Sequence, residues 1–248
     1  MAQSVGAAVV VAVVVVAAAG VAEAQPAPVA QSASANGWNG EFSVGGTFAT
    51  GNTQRKSSDA DMRLNHREGR LEDRFHLGGT MAWETGNTVA QRVAASAQGR
   101  FDWKPRTYTY GLAEFTDDRF SGFRYEAAVS AGIGYRLIDA PRTSLTVDIG
   151  PGYRWSEVRE AGDTEREVFA RLGSTFRHDL SGNARVTNEA VLSYDEVRTR
   201  IEDTVAVTSK LIGSLAGRAS FNVRFNSDPP ANIKATDTLT KLSIVYEF

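Results

Sequence analysis

The sequence predicts an all-β protein, a transmembrane antiparallel β-barrel of about twelve strands with both termini periplasmic. Three observations carry that prediction. An apolar export segment opens the chain, hydropathy then alternates with a period of two over unusually long stretches, and the last alternating segment runs to Phe248. The 248 residues hold 27 Lys+Arg against 29 Asp+Glu, with no Cys. This near-balance lacks the basic excess of a nucleic-acid binder. The missing Cys excludes disulfide scaffolds, thiolate zinc sites and thiol catalysis. A mean hydropathy of −0.26 excludes a bundle of membrane-spanning helices.

Residues 5–22 are almost wholly Val, Ala and Gly, and Ala22-Glu23-Ala24 has the small-x-small pattern of a cleavage site. We read residues 1–24 as a signal peptide. Its start carries no basic side chain, the first in the chain being Arg55, and the competing reading is an uncleaved anchor. Residues 25–36, rich in Gln, Pro, Ala and Ser, read as a flexible linker. Residues 37–248 then form the barrel.

Alternation is clearest in Phe123, Tyr125, Ala127, Val129, Ala131, Ile133, Tyr135 and Leu137, which share one parity against Arg124, Glu126, Ser130 and Arg136. Phe75, Leu77, Met81 and Trp83 oppose Arg74, His76, Thr80 and Glu84 in the same way. One apolar and one polar face per segment is the signature of strands, not helices. Turn signals such as Gly51-Asn52, Glu68-Gly69, Gly86-Asn87, Lys104-Pro105 and Ser181-Gly182-Asn183 punctuate the chain. They place strand starts near Trp38, Lys56, Asp73, Val89, Thr107, Phe123, Thr143, Glu167, Ala184, Thr204, Gly217 and Thr236. The fifth and tenth have weak parity.

A membrane barrel turns its apolar face outward and its polar face into the lumen. The inward set then comprises Asp59, Asp61, Arg63, Arg74, His76, Arg92, Arg100, Arg124, Glu126, Arg136, Asp148, Arg171 and Arg224, with Glu41, Asp102, Arg154, Glu167, Glu189 and Arg218 among its further members. Trp38, Trp83, Trp103 and Trp155 fall on the apolar parity near strand ends, as aromatic girdles would, and Tyr108, Tyr135, Tyr153 and Tyr194 are placed similarly. The final segment sets Leu242, Ile244, Tyr246 and Phe248 on one parity. This resembles the C-terminal assembly signal of bacterial outer-membrane barrels, and the partners it implies are outer-membrane lipid and the barrel-assembly machinery. Expected outer loops (116–122, 156–166, 195–203, 227–235) are longer than the inner turns (104–106, 139–142, 179–183 and Ala216-Gly217), the asymmetry such barrels show.

Trp38-Asn39-Gly40 leading to Gly51-Asn52-Thr53, Asp118-Arg119-Phe120 leading to Gly132-Ile133-Gly134-Tyr135-Arg136, and Asp228-Pro229-Pro230 before Thr236-Asp237-Thr238 are a set of motifs spread over the mature chain. Together they resemble the YdiY-like family of salt-induced outer-membrane proteins, a family built on a domain of unknown function. The resemblance implies a single outer-membrane barrel and supplies no catalytic residues to carry over.

Chemistry is sparse. His66 and His178 read as interfacial residues, and His76 faces the lumen within reach of Asp59 or Asp61. No Ser/His/acid set, metal-binding motif or phosphate cradle emerges, so no cofactor and no soluble partner is expected. Arg and carboxylates of similar number share the lumen and should cross-pair, since an unpaired charge in a narrow bore is costly. The first reading is a non-enzymatic barrel with a structural or salt-stress role and a narrow lumen. The second is a porin-like channel for small solutes, and a barrel enzyme is a remote third.

Overall fold

The computed structural model describes residues 36–49, 55–119, 123–159, 162–229 and 234–248. The expected signal peptide, all of the linker but Asn36, the Gly51-Asn52 turn, Phe120 and Pro230 lie outside the described residues.

The described residues form twelve strands: β1 (Gly37–Ala49), β2 (Arg55–Glu68), β3 (Leu71–Glu84), β4 (Asn87–Lys104), β5 (Thr107–Asp118), β6 (Phe123–Ala140), β7 (Thr143–Val158), β8 (Thr164–Asp179), β9 (Ala184–Tyr194), β10 (Thr199–Ile212), β11 (Leu215–Asn226) and β12 (Thr236–Glu247). Each pairs antiparallel with the next, and β12 returns to β1 to close the barrel. The last rung is a reciprocal pair, with Gly40 N donating to Phe248 O at 2.8 Å and Phe248 N to Gly40 O at 3.0 Å. The closing ladder pairs Glu41–Gly45 with Ser243–Glu247, and closing the ring removes the open sheet edge that hydrocarbon would not tolerate.

We call the end where β1 begins and β12 finishes the turn end, and the other the loop end. Turn-end connections run from two residues (69–70) to four (180–183), whereas the loop-end connection between β11 and β12 takes nine (227–235). Gly69 and Gly213 adopt φ of +58° and +57°, the left-handed conformation that two-residue hairpins demand.

Strand starts lie within three residues of those expected, except in β10, which begins five residues early. Its loop is tight because Asp195 Oδ1 accepts from the backbone N–H of Val197 (2.9 Å) and Arg198 (2.8 Å), so pairing resumes at Thr199↔Tyr194. The expected turn at Ala216-Gly217 is instead strand. Ile212 pairs with Leu215, and the turn falls at Gly213-Ser214. The loop between β7 and β8 spans only 159–163, because pairing continues to Glu157↔Thr164.

Side chains alternate across this wall. Trp38 and Trp103 stand outward at the turn end, 63% and 60% exposed, while Trp83 and Trp155 occupy the loop-end ends of β3 and β7. Leu242, Ile244, Tyr246 and Phe248 form an exposed outward row on the closing strand. Tyr108, expected in a girdle, is 1% exposed and lies inside, its ring over Gly134 of β6. The weak parity of β5 has this cause, because its inward face carries Tyr108, Tyr110 and Leu112 while Gly111 and Ala113 face out.

The charged lumen as candidate functional site

Inward residues of adjacent strands stand in rungs, so a charge on one strand has a side-chain neighbour on the next. One such rung runs Glu41↔Arg63↔His76↔Ser96↔Glu114 across β1 to β5. Glu41 accepts from Arg63 at 3.2 Å and, across the intervening β12, from both terminal nitrogens of Arg218 at 2.7 Å each. This fork-to-fork contact is the strong form of a charge-assisted hydrogen bond.

Toward the turn end, Asp102 accepts from Arg67 (2.6 Å) and Arg136 (2.8 Å), and Glu72 accepts from Arg67 (3.1 Å) and Arg74 (2.7 Å). At mid-height Lys241 reaches over β1 to Asp59 at 3.1 Å and Asp61 at 3.6 Å. It can do so because Gly45 lies beneath, where a Cβ would meet the Asp59 carboxylate. His76 Nε2 lies 3.1 Å from Asp61 Oδ1, and Arg171 bonds Asp148.

The loop-end half is crossed rather than lined. Arg200 Nη1 of β10 donates to Glu126 Oε2 of β6 at 2.6 Å, joining strands four places apart round the ring. Arg154–Glu167 (3.5 Å), Arg198–Glu165 (2.9 Å) and Arg198–Glu167 (3.1 Å) surround that crossing, and Arg224 pairs with Glu202 at 3.1 Å. Beside them lies a cavity of about 280 Å³, faced by Arg92 and Glu114, neither of which makes an ion pair among the described residues.

Four buried rings lie under these arginines on one side. Arg100 sits 3.7 Å over Tyr108, Arg154 4.5 Å over Phe169, Arg171 5.7 Å over Tyr110, and Arg200 5.8 Å over Phe123. Tyr108 and Phe169 fill space opened by Gly134 and Gly152. Rings stacked under guanidinium groups add cation–π attraction and hold long side chains in one position.

Arg124, expected inward, is not part of this network. A bulge between Phe123 and Tyr125 turns Phe123 into the lumen and leaves Arg124 at the rim, its side chain 68% exposed and bonded to Glu157 at 3.1 Å. An extra residue in one strand resets parity locally, so period-two reading fails there. Arg198, Arg200 and Lys241 were missed. The first two lie where β10 reads as loop, although Arg198, Arg200 and Glu202 share one parity. Lys241 is found by reading the parity opposite Leu242.

His66 stacks on Trp38 with ring centroids 4.6 Å apart, and His178 Nδ1 lies 2.8 Å from Thr143 Oγ1. Neither faces the lumen charges.

A closed antiparallel barrel, apolar outside and charged within, is a bacterial outer-membrane β-barrel. Three solved structures share the fold, each with TM-score 0.50. The translocator domain of the autotransporter NalP from Neisseria meningitidis is 15% identical, over 85% of this chain and 88% of that one. The COG4313 outer membrane channel from Pseudomonas putida F1 is 11% identical, over 91% and 100%, and the NanC porin is 9% identical, over 84% and 97%. Residues 42–248 match the family described as "Protein of unknown function, DUF481", and the chain belongs to that family. The uncharacterized protein YdiY of Escherichia coli (strain K12) is 24% identical over 220 residues, 84% of this chain and 82% of that protein.

Proposed function

We propose that this barrel is a non-enzymatic outer-membrane protein with periplasmic termini, serving the envelope structurally or under salt stress, with a lumen narrowed by crossing ion pairs. The observation that carries this reading is the Arg200–Glu126 contact at 2.6 Å, which cuts across the loop-end half of the lumen. Twelve strands set a bore between the side-chain-filled eight-stranded barrels and the open porins, and long paired side chains occupy it. The shorter turns at the end holding Gly37 and Phe248 support periplasmic termini. The outward row Leu242, Ile244, Tyr246, Phe248 supports recognition of the closing strand by the barrel-assembly machinery, with lipid against the aromatic ends.

Conductance in planar bilayers tests this. The wild-type barrel passes only small steps, and the double substitution Arg200→Ala with Glu126→Gln raises them several-fold. Wild-type steps as large as those of an open sixteen-stranded porin would refute the narrow lumen. A second reading, a channel for small polar solutes, is favoured by the loop-end cavity and by Arg92 and Glu114 facing it, which make no ion pair within 4 Å among the described residues. It predicts that Arg92→Ala and Glu114→Gln shift ion preference in opposite directions.

A further inference from the structure

Among the described residues, the outward face of β10 carries a place that does not suit lipid. Odd-numbered residues of β10 face outward, as Val205 and Val207, both exposed, show, while Ala206 and Thr208 are buried inside. Asp203 has the outward parity. It sits between the outward Ile201 and Val205 on its own strand, opposite Ala190 of β9 and Val223 of β11. Tyr194, an exposed aromatic residue at the loop-end rim, is four residues further along β9. Four residues of tilted strand correspond to about 10 Å of depth, within an apolar band about 25 Å tall. Asp203 therefore lies well inside the hydrocarbon layer.

Its surroundings are polar or small. Asn188 of β9 donates from Nδ2 to Asp203 Oδ1, and its Nδ2 also lies 3.4 Å from Thr204 O. Ser174 of β8 and Ala190 of β9 stand on the same outward rung as Asp203, in the order Ser174↔Ala190↔Asp203. The Asn188 bond engages Oδ1 alone. Asp203 Oδ2, Asn188 Oδ1 and the Ser174 hydroxyl have no hydrogen-bond partner among the described residues. Hydrocarbon offers no partner for such groups. Where barrels or helices associate in membranes, small residues permit close approach and polar side chains bond across the contact.

The geometry points to this patch as a self-association surface, with a second copy of the chain as its occupant. The patch is self-complementary: hydroxyl and carboxamide N–H donate, and carboxyl and carboxamide oxygens accept. A two-fold axis near Ala190 sets Ser174 and Asn188 of one copy toward Asp203 of the other, and the reverse contact follows by symmetry. Ala190, at the centre of the rung, lets the two walls meet. A quarter of the way round the ring, the wall around Val129 and Ile133 of β6 presents ordinary exposed apolar residues.

Native mass spectrometry of the full-length barrel released from lipid nanodiscs tests this, alongside oxidative cross-linking in vesicles. The absence of Cys makes single-Cys variants clean reporters. Expected is a dimer whose Ala190→Cys variant cross-links at least about tenfold more than Val129→Cys. Asp203→Leu and Ala190→Phe, both compatible with lipid, each convert the dimer to monomer while heat-shifted gel mobility shows a folded barrel. A monomer in the wild type, with or without a bound amine-bearing lipid, overturns the proposal. So do equal cross-linking at positions 190 and 129, or a dimer that survives both Asp203→Leu and Ala190→Phe.

Discussion

Two walls of the lumen solve the same packing problem differently. On the β5–β8 side, buried rings fill the space: Tyr108 over Gly134 and Phe169 over Gly152, each beneath an arginine. On the β11–β12–β1–β2 side no ring points inward among the described side chains. Small residues such as Ser43, Gly45 and Ser243 leave room for Arg218 and Lys241 to reach over a whole strand to Glu41 and to Asp59 with Asp61. The first wall adds to its ion pairs the shape and dispersion of these rings, which salt does not screen. The second depends on partly exposed charges, which salt does screen. A charged lumen thus has one rigid side and one side whose strength is set by the medium.

The contrast breaks most sharply at Gly134→Val. A branched Cβ there would occupy the Tyr108 ring, and destabilisation of about 3 kcal/mol is expected from overpacking. Urea unfolding in lipid vesicles measures it, and adding Tyr108→Ala should recover part of the loss. If Gly134→Val is neutral, the ring is not a packing element. On the other wall, Glu41→Gln strands two guanidinium groups and should cost about 2 kcal/mol, less than a fully buried pair because the Arg63 side chain is 41% exposed. That cost should shrink between low and high salt, whereas the Gly134→Val cost should not. Lys241→Met is the mildest, about 1 kcal/mol, with the same salt dependence. Salt-independent losses at both Glu41 and Lys241 would erase the distinction between the walls.

Much of this was legible in the chain. Side chains of a strand alternate by backbone geometry alone, so parity identified Arg63, Arg136, Asp148, Arg171 and most other lumen residues, and turn residues located nearly every strand start. Parity failed where the backbone departs from a plain ladder. The Phe123–Tyr125 bulge moved Arg124 to the rim, the Asp195 turn lengthened β10, and inward Tyr108 and Tyr110 made β5 look apolar on the wrong side.

By itself, then, the sequence determined the class of protein, an alternating chain closing on an aromatic strand, because a period of two and an apolar outer face are local properties. Only the tertiary structure decided which charges meet. Arg200 and Glu126 are 74 residues apart, and Arg218 and Glu41 are 177 apart. Their contact depends on the stagger accumulated over several strand pairs and on where β12 meets β1, quantities that no local pattern encodes. The same closure sets Ser174, Ala190 and Asp203 on one outward rung, and so turns three scattered residues into a single surface.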